Sequence, residues 1–350
     1  MDCLDAGRLF ELFTASSSAP MRDDVERHLD GCERCRQMVA AYARVADEDD
    51  TAAEISPYAP TLRSDRPAAG PRAATGDLIA QRYLLDRVVG EGGMGVVWAA
   101  RDLRSNRDVA LKILKIESAE LSARALREAE IAGVVGHPNV VPVHEIVSRP
   151  GAPPILVMAL LVGESLDRAL ARRRTLPLAE TLAVLLPLTS AVRAAHARGV
   201  LHRDLKPQNV FLARAGDEPP IVMLMDFGLA KILGQEVETL TRTGAIVGTP
   251  HYMAPEQLYG ERDIDRRADV WAIGAIACEC LTGARPLEGA SYAQLVRSAT
   301  RRKIEPLAAR LPEGAPRALG RIVDRMLAHD REDRPELSEV HAELFALMHG

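Results

Sequence analysis

Two short stretches of the chain concentrate groups that handle protons, cations and phosphate. Leu201-His202-Arg203-Asp204-Leu205-Lys206-Pro207-Gln208-Asn209 places a carboxylate base, two cations and an amide suited to a metal ion in one loop-length segment. Further on, the apolar strand pattern of residues 221–225 runs into Asp226-Phe227-Gly228. A carboxylate can take a proton from a hydroxyl, and carboxylate and amide oxygens suit a hard cation such as Mg²⁺.

Upstream lies a glycine-rich run, Gly90-Glu91-Gly92-Gly93-Met94-Gly95-Val96-Val97. Glycines carry no Cβ, so a hairpin built from them can bring its backbone close to phosphates. A dinucleotide-binding loop uses similar glycines but requires a helix directly after them, and residues 95–100 continue as a strand instead. Lys112 follows within DVALKIL, where alternation puts Val109, Leu111 and Ile113 on one face and Ala110, Lys112 and Leu114 on the other. A lysine set in apolar sequence needs anions, and a phosphate together with a carboxylate would satisfy it. Glu128 and Glu130, in the helical pattern SARALREAEIAG, both offer that carboxylate.

The elements that must position these groups separate by pattern. From Tyr83, short β-type runs come first: YLLDRVVG, GVVWAAR, DVALKILK, VVPVHEIV and PILVMAL, interrupted by one helical stretch. After about Ser165 the pattern is mostly helical, with LAETLAVLLPLTSAVRAAHARG, RADVWAIGAIACECLTG and RALGRIVDRMLAHD the clearest segments. A strand-rich part followed by a helix-rich part describes two lobes.

These motifs, joined by Ala254-Pro255-Glu256, by Asp269 in RADVWAIG and by Arg334 in DREDRP, resemble the bacterial members of the eukaryotic-type serine/threonine protein kinase family over about residues 83–345. The resemblance implies an α+β fold with a β-rich N-lobe and a helical C-lobe, and an ATP-dependent transfer of phosphate to Ser/Thr hydroxyls of protein substrates. It implies that Gly90, Gly92, Gly95 and Val97 cover the nucleotide. Lys112 would hold its phosphates while pairing with Glu128, with Glu130, two positions along the same helix, as the alternative. Asn209 and Asp226 would bind Mg²⁺, with Mn²⁺ as a substitute ion. Asp204 would take the hydroxyl proton and Lys206 would stabilise charge on the γ-phosphate. Adenine would lie against backbone near Met158, the gatekeeper position, and Leu160. Family members often have Glu where this chain has Ala159, a departure that leaves the main-chain contacts untouched.

Lys206 and Thr249 in Gly248-Thr249-Pro250 match the serine/threonine class, Thr249 as a hydrogen-bonding partner of Asp204 and Lys206. Arg203 would receive a phosphate on the loop after Asp226, where Thr241 and Thr243 resemble the paired autophosphorylated threonines of bacterial kinases. Phosphorylation in trans would involve a dimer of kinase domains. Glu256 and Arg334 would form a buried structural ion pair. A pseudokinase scaffold is the rival from another class, and it would call for loss of Lys112, Asp204, Asn209 or Asp226; all four are present.

The front of the chain holds a different chemistry. Cys3, His28, Cys32 and Cys35 have the composition of a tetrahedral zinc site, with His28 and Cys32 four apart and Cys32 and Cys35 in a short hairpin spacing. The segment resembles the zinc-binding anti-sigma factor domain, best in RHLDGCERCRQMV. A redox CxxC is the rival, but a βαβ context for it is missing. The expected division is a helical zinc module at 1–46 with a protein partner of its own, a disordered Pro/Ala/Gly-rich and charged linker at 47–80, and the kinase domain at 81–348. A third reading makes the front module the essential interaction part and the kinase its regulator. Cys278 and Cys280 sit in an apolar helical run and are expected to be buried hydrophobes.

A formal net charge of −5 gives no whole-chain reason to expect nucleic acid or an anionic membrane as partner. No stretch of about 18 uncharged apolar residues occurs. The opening MDCLDAGRLFELF carries acids where a signal peptide needs basic residues. The expectation is a soluble, cytoplasmic signalling protein.

Overall fold

The computed structural model describes residues 73–349, apart from 93–94, most of 117–134, 149–152, 215, 217, 228–249, 262, 302–303 and 312–315. The first compact part is an antiparallel sheet of β1 (Leu78–Ile79), β2 (Tyr83–Gly92), β3 (Gly95–Asp102), β4 (Arg107–Leu114), β5 (Val143–Val147) and β6 (Ile155–Ala159), in the order β1-β2-β3-β4-β6-β5. The two-residue alternation of β4 sorts its side chains as the sequence requires. Val109 and Leu111 enter a core with Tyr83, Leu85, Trp98, Ile155 and Val157, and Ile113 packs against its rim. Leu114, on the opposite face, joins Ile116 and Leu156, with Met158 and Ile146 beside them. Each large aliphatic group fully buried this way contributes about 1.5–3 kcal/mol. Lys112 shares the second face and is itself buried.

The glycines lie where two strands meet. Gly92 pairs with Gly95 and Gly90 with Val97, so the glycines on either side of residues 93–94 lie on neighbouring antiparallel strands. At Gly95 a Cβ would collide with the carbonyl oxygen of Ile113 on β4, so this position requires glycine for the hairpin to lie against its neighbour.

The helical part follows. It begins with β7 (Gly163–Ser165), α1 (Leu166–Arg173) and α2 (Leu178–His196). A single 3₁₀ turn, Pro207–Asn209, leads into β8 (Val210–Ala213) and β9 (Ile221–Leu224), which complete a small antiparallel sheet β7-β8-β9. Then come α3 (Pro255–Leu258) and α4 (Arg267–Thr282). Residues Leu287–Lys303 fall in a separate unit and hold α5 (Tyr292–Thr300), N-capped by Ser291, whose hydroxyl accepts from the Gln294 N–H. The chain closes with α6 (Leu307–Arg310), α7 (Arg317–Met326) and α8 (Leu337–His349).

α4 is buried along almost its whole length, Cys278 and Cys280 included, and both cysteines are free thiols whose pKa burial raises. It ends at Gly283 in the left-handed region, whose N–H returns to the Glu279 carbonyl at 2.8 Å. α2 is by length and composition apolar enough to cross a membrane. Its apolar residues, from Leu182 to Ala195, are instead the ones packed on α4 and α8. The expected strands and the three clearest helices are all present. Of the helical stretch holding Glu128 and Glu130, only Ser122, Leu126 and Gly133 are described, and all three are helical.

Candidate active site

The 201–209 loop is shaped by one buried carboxylate on α4. Asp269 accepts the backbone N–H of His202 through Oδ2 at 2.9 Å and that of Arg203 through Oδ1 at 2.8 Å, and its Oδ2 also meets His196 Nε2 at 2.7 Å. Burial disfavours the Asp269 anion, yet the His196 hydrogen bond and the nearby histidines outweigh it and hold its pKa below the usual carboxylate range. Those bonds fix Arg203 at φ 65°, a left-handed conformation that costs a non-glycine residue about 1–3 kcal/mol and persists only where its surroundings enforce it. His202 Nδ1 accepts from the Asp204 N–H at 3.3 Å, so the ring proton sits on Nε2 and is donated to the Met225 carbonyl at 2.8 Å. The same ring packs 4.8 Å from Phe227. The loop is thereby tied to the segment that carries Asp226.

Within this frame the reactive groups converge. Lys206 Nζ lies 2.9 and 2.8 Å from the two carboxylate oxygens of Asp204. Asn209 donates its amide protons to the Asp204 carbonyl at 2.7 Å and to its Oδ2 at 3.2 Å. Asn209 also binds through its backbone carbonyl, which accepts from the Met225 N–H at 2.9 Å. Across from them Lys112 Nζ lies 2.6 Å from Asp226 Oδ1. Burial alone would push the Asp226 carboxyl up; the Lys112 ammonium, by charge and hydrogen bond, holds it below its ordinary range. Asp226, too, has a left-handed backbone, at φ 61°. The carboxylate partner that the structure gives Lys112 is thus Asp226; Glu128 and Glu130 lie outside the described residues.

Strand register joins the glycine hairpin to this centre. Val97 lies opposite Gly90 on one side and Lys112 on the other, and Met158 stands on β6, half buried, opposite Ala110. The donor set suits a divalent cation brought by a nucleotide. With both amide protons of Asn209 committed to Asp204, its carbonyl oxygen is left for a metal, beside the oxygens of Asp226. Among the described residues no three His, Cys, Asp or Glu side chains form a metal cluster. Phosphate oxygens and water would therefore complete the shell, as Mg²⁺ prefers.

A family model described as a protein kinase domain matches residues 83–346. The chain belongs to the protein kinase family. This kinase is similar to the serine/threonine-protein kinases pkn3 and Pkn1 of Myxococcus xanthus. It is 34% identical to pkn3 over 78% of this chain and 51% of that protein, and 37% identical to Pkn1 over 79% and 38%. It is 38% identical to serine/threonine-protein kinase PknH of Mycobacterium tuberculosis, over 72% of this chain and 39% of that protein. The chain spans about half or less of the length of these curated relatives.

Two anchors hold the kinase segment that follows residue 249. Arg334 meets Glu256 through two hydrogen bonds of 2.6 and 2.8 Å, both side chains being almost fully buried, and lies 5.1 Å from the Trp271 ring. The Tyr252 hydroxyl donates to Glu279, whose other oxygen accepts from Arg285 Nε at 3.2 Å; burial, then Glu279, raises the Tyr252 pKa. The expected Glu256–Arg334 pair is therefore present. His196, Gln257 and the Tyr252–Glu279 pair were not singled out from sequence, since each reads locally as an ordinary polar helix or loop residue. Cys3, His28, Cys32, Cys35, Thr241, Thr243 and Thr249 lie outside the described residues.

Proposed function

We propose that the chain is an ATP-dependent protein kinase that phosphorylates Ser and Thr hydroxyls. The observation that carries this reading is the convergence of Asp204, Lys206 and Asn209 with the Lys112–Asp226 pair. A pseudokinase would have no use for that whole set. Bound Mg-ATP supplies the γ-phosphoryl group and the cation that offsets phosphate charge. The chain's part is positional and electrostatic. Asp204 orients the acceptor hydroxyl and takes its proton as the oxygen–phosphorus bond forms and the bond to the β-phosphate oxygen breaks. Lys206, already on Asp204, stabilises charge on the transferring group, and Lys112 steadies the remaining phosphates. With radiolabelled ATP, Mg²⁺ and a general acceptor protein, label is expected on phosphoserine and phosphothreonine. Label confined to phosphotyrosine, or none at all, would overturn the reading.

Regulation through Arg203 is part of this proposal. Its Nε is buried and finds no hydrogen-bond partner among the described residues, which supports a phosphate as the missing acceptor. Freshly purified kinase should carry phosphate on Thr241 or Thr243, and the double alanine variant should lose most activity while still binding nucleotide. Mass spectrometry that finds both sites unmodified in fully active enzyme would rule this out.

For the front of the chain we propose zinc bound by Cys3, His28, Cys32 and Cys35, within a division into 1–46, linker 47–80 and kinase domain 81–348. Support comes from the ligand types and spacing, and from the need of a segment this short for a structural ion. One equivalent of zinc should copurify with the full chain and vanish from the double variant Cys32→Ser, Cys35→Ser, with phosphoryl transfer unchanged. Full-chain protein that contains no zinc would refute it.

A further inference from the structure

We infer that Gln257 is a positioning residue for phosphoryl transfer, holding the catalytic loop from the side opposite Asp269. The inference rests on the kinase reading above. Gln257 lies on α3, the short helix that Glu256 and Arg334 pin to the C-lobe. Its two amide ends do different things. The oxygen accepts the Ala254 N–H at 3.0 Å, a local bond that caps the start of its own helix. The nitrogen donates at 2.9 Å to the backbone carbonyl of Arg203, 54 residues away. Helix capping needs only the acceptor, so the donor end is a separate device.

Its target is the peptide group through which Arg203 passes to Asp204. Arg203 is held in the left-handed region at φ 65°. Its N–H is fixed by Asp269 and its carbonyl by Gln257, so both peptide groups flanking the strained residue are tied to the C-lobe. The carbonyl bond is the nearer of the two to the catalytic carboxylate, because the Arg203 C=O belongs to the peptide unit whose N–H is that of Asp204. Arg203, Asp204, Gln257 and Asp269 also line one small cavity. Releasing the carbonyl lets that peptide unit turn and carries the Asp204 carboxylate away from the acceptor hydroxyl. The nucleotide contacts of Lys112 and Asp226 are untouched by such a turn. The expected signature is a loss confined to kcat.

Steady-state kinetics on the full chain test this with Gln257→Glu, Gln257→Ala and Gln257→Met. The Glu variant keeps an oxygen for Ala254 but sets a carboxylate oxygen against the Arg203 carbonyl, and the Met variant removes the donor without adding a charge. All three should lower kcat about tenfold, the usual worth of one buried hydrogen bond at a reacting centre, with KM for ATP unchanged. The loss of kcat should exceed what any fall in melting temperature accounts for. Wild-type kcat in Gln257→Glu, or in Gln257→Met should the former not fold, would overturn the inference. So would kcat losses that merely follow losses of melting temperature, since those describe a scaffold residue. An inactive wild-type chain would instead overturn the kinase reading itself and this inference with it.

Discussion

Asp204→Asn is expected to lower kcat by about 10²–10⁴-fold, the range that loss of a positioned general base produces. The substitution keeps the size of the side chain and an oxygen for the Asn209 amide, so the fold of the loop is retained. What disappears is the anion. The acceptor hydroxyl loses its proton acceptor, and Lys206 loses the carboxylate that holds it at 2.8–2.9 Å. Asp226→Asn should be comparably damaging for a different reason: it removes the charge that balances Lys112 and that would hold a divalent ion. Rates of transfer from ATP, measured beside nucleotide affinity, separate the two. Asp204→Asn should bind Mg-ATP as wild type does, whereas Asp226→Asn should lose the Mg²⁺ dependence of binding. Near-normal turnover in either variant would remove that residue from the mechanism.

Glu256→Ala is expected to destabilise the kinase domain by about 3–5 kcal/mol, the cost of stranding a buried charge. Arg334 cannot escape to solvent when its partner goes. Its side chain is fully buried, and it also donates to the carbonyls of Ala328, Arg267 and His329 at 2.9, 3.0 and 3.1 Å. Removing both charges, in the double variant Glu256→Leu, Arg334→Met, should cost less than the single change. Denaturant unfolding of the three proteins measures this directly. Glu256→Ala unfolding at the wild-type midpoint would show that the pair is dispensable.

Much of this site was legible because its parts are local. The glycine hairpin is a run of adjacent residues between two strand patterns, and the alternation in DVALKIL is enough to put Lys112 on the face opposite Val109 and Leu111. The buried state of Cys278 and Cys280 likewise follows from the unbroken apolar pattern of α4. What escaped is non-local or short. Asp269 was recognised as part of a motif, but that it grips the catalytic loop depends on a pairing across 67 residues that no periodicity records. Gln257 and His196 carry ordinary helix-surface chemistry until tertiary structure gives them partners. The strands β7 and β8, of three and four residues, are too brief for a two-residue period to show. The sequence pointed Lys112 toward Glu128 or Glu130, which lie outside the described residues; the carboxylate it meets among the described ones is Asp226, two residues past the end of β9.

The dependence of the catalytic loop on Asp269 has a consequence for timing. Proteins are made from the N-terminus at about 5–20 residues per second. His202 and Arg203 leave the ribosome 67 and 66 residues ahead of the carboxylate that holds their backbone. At that speed the loop waits roughly 3–13 seconds for its clamp. Through that interval Arg203 has no reason to stay left-handed, and Asp204 has no fixed direction. On the proposed activity, a nascent chain that already displays every strand of the first lobe would still lack the fixed Asp204 that phosphoryl transfer needs. The proposed activity would then arise no earlier than α4, and the order of residues along the chain would keep a half-made protein silent.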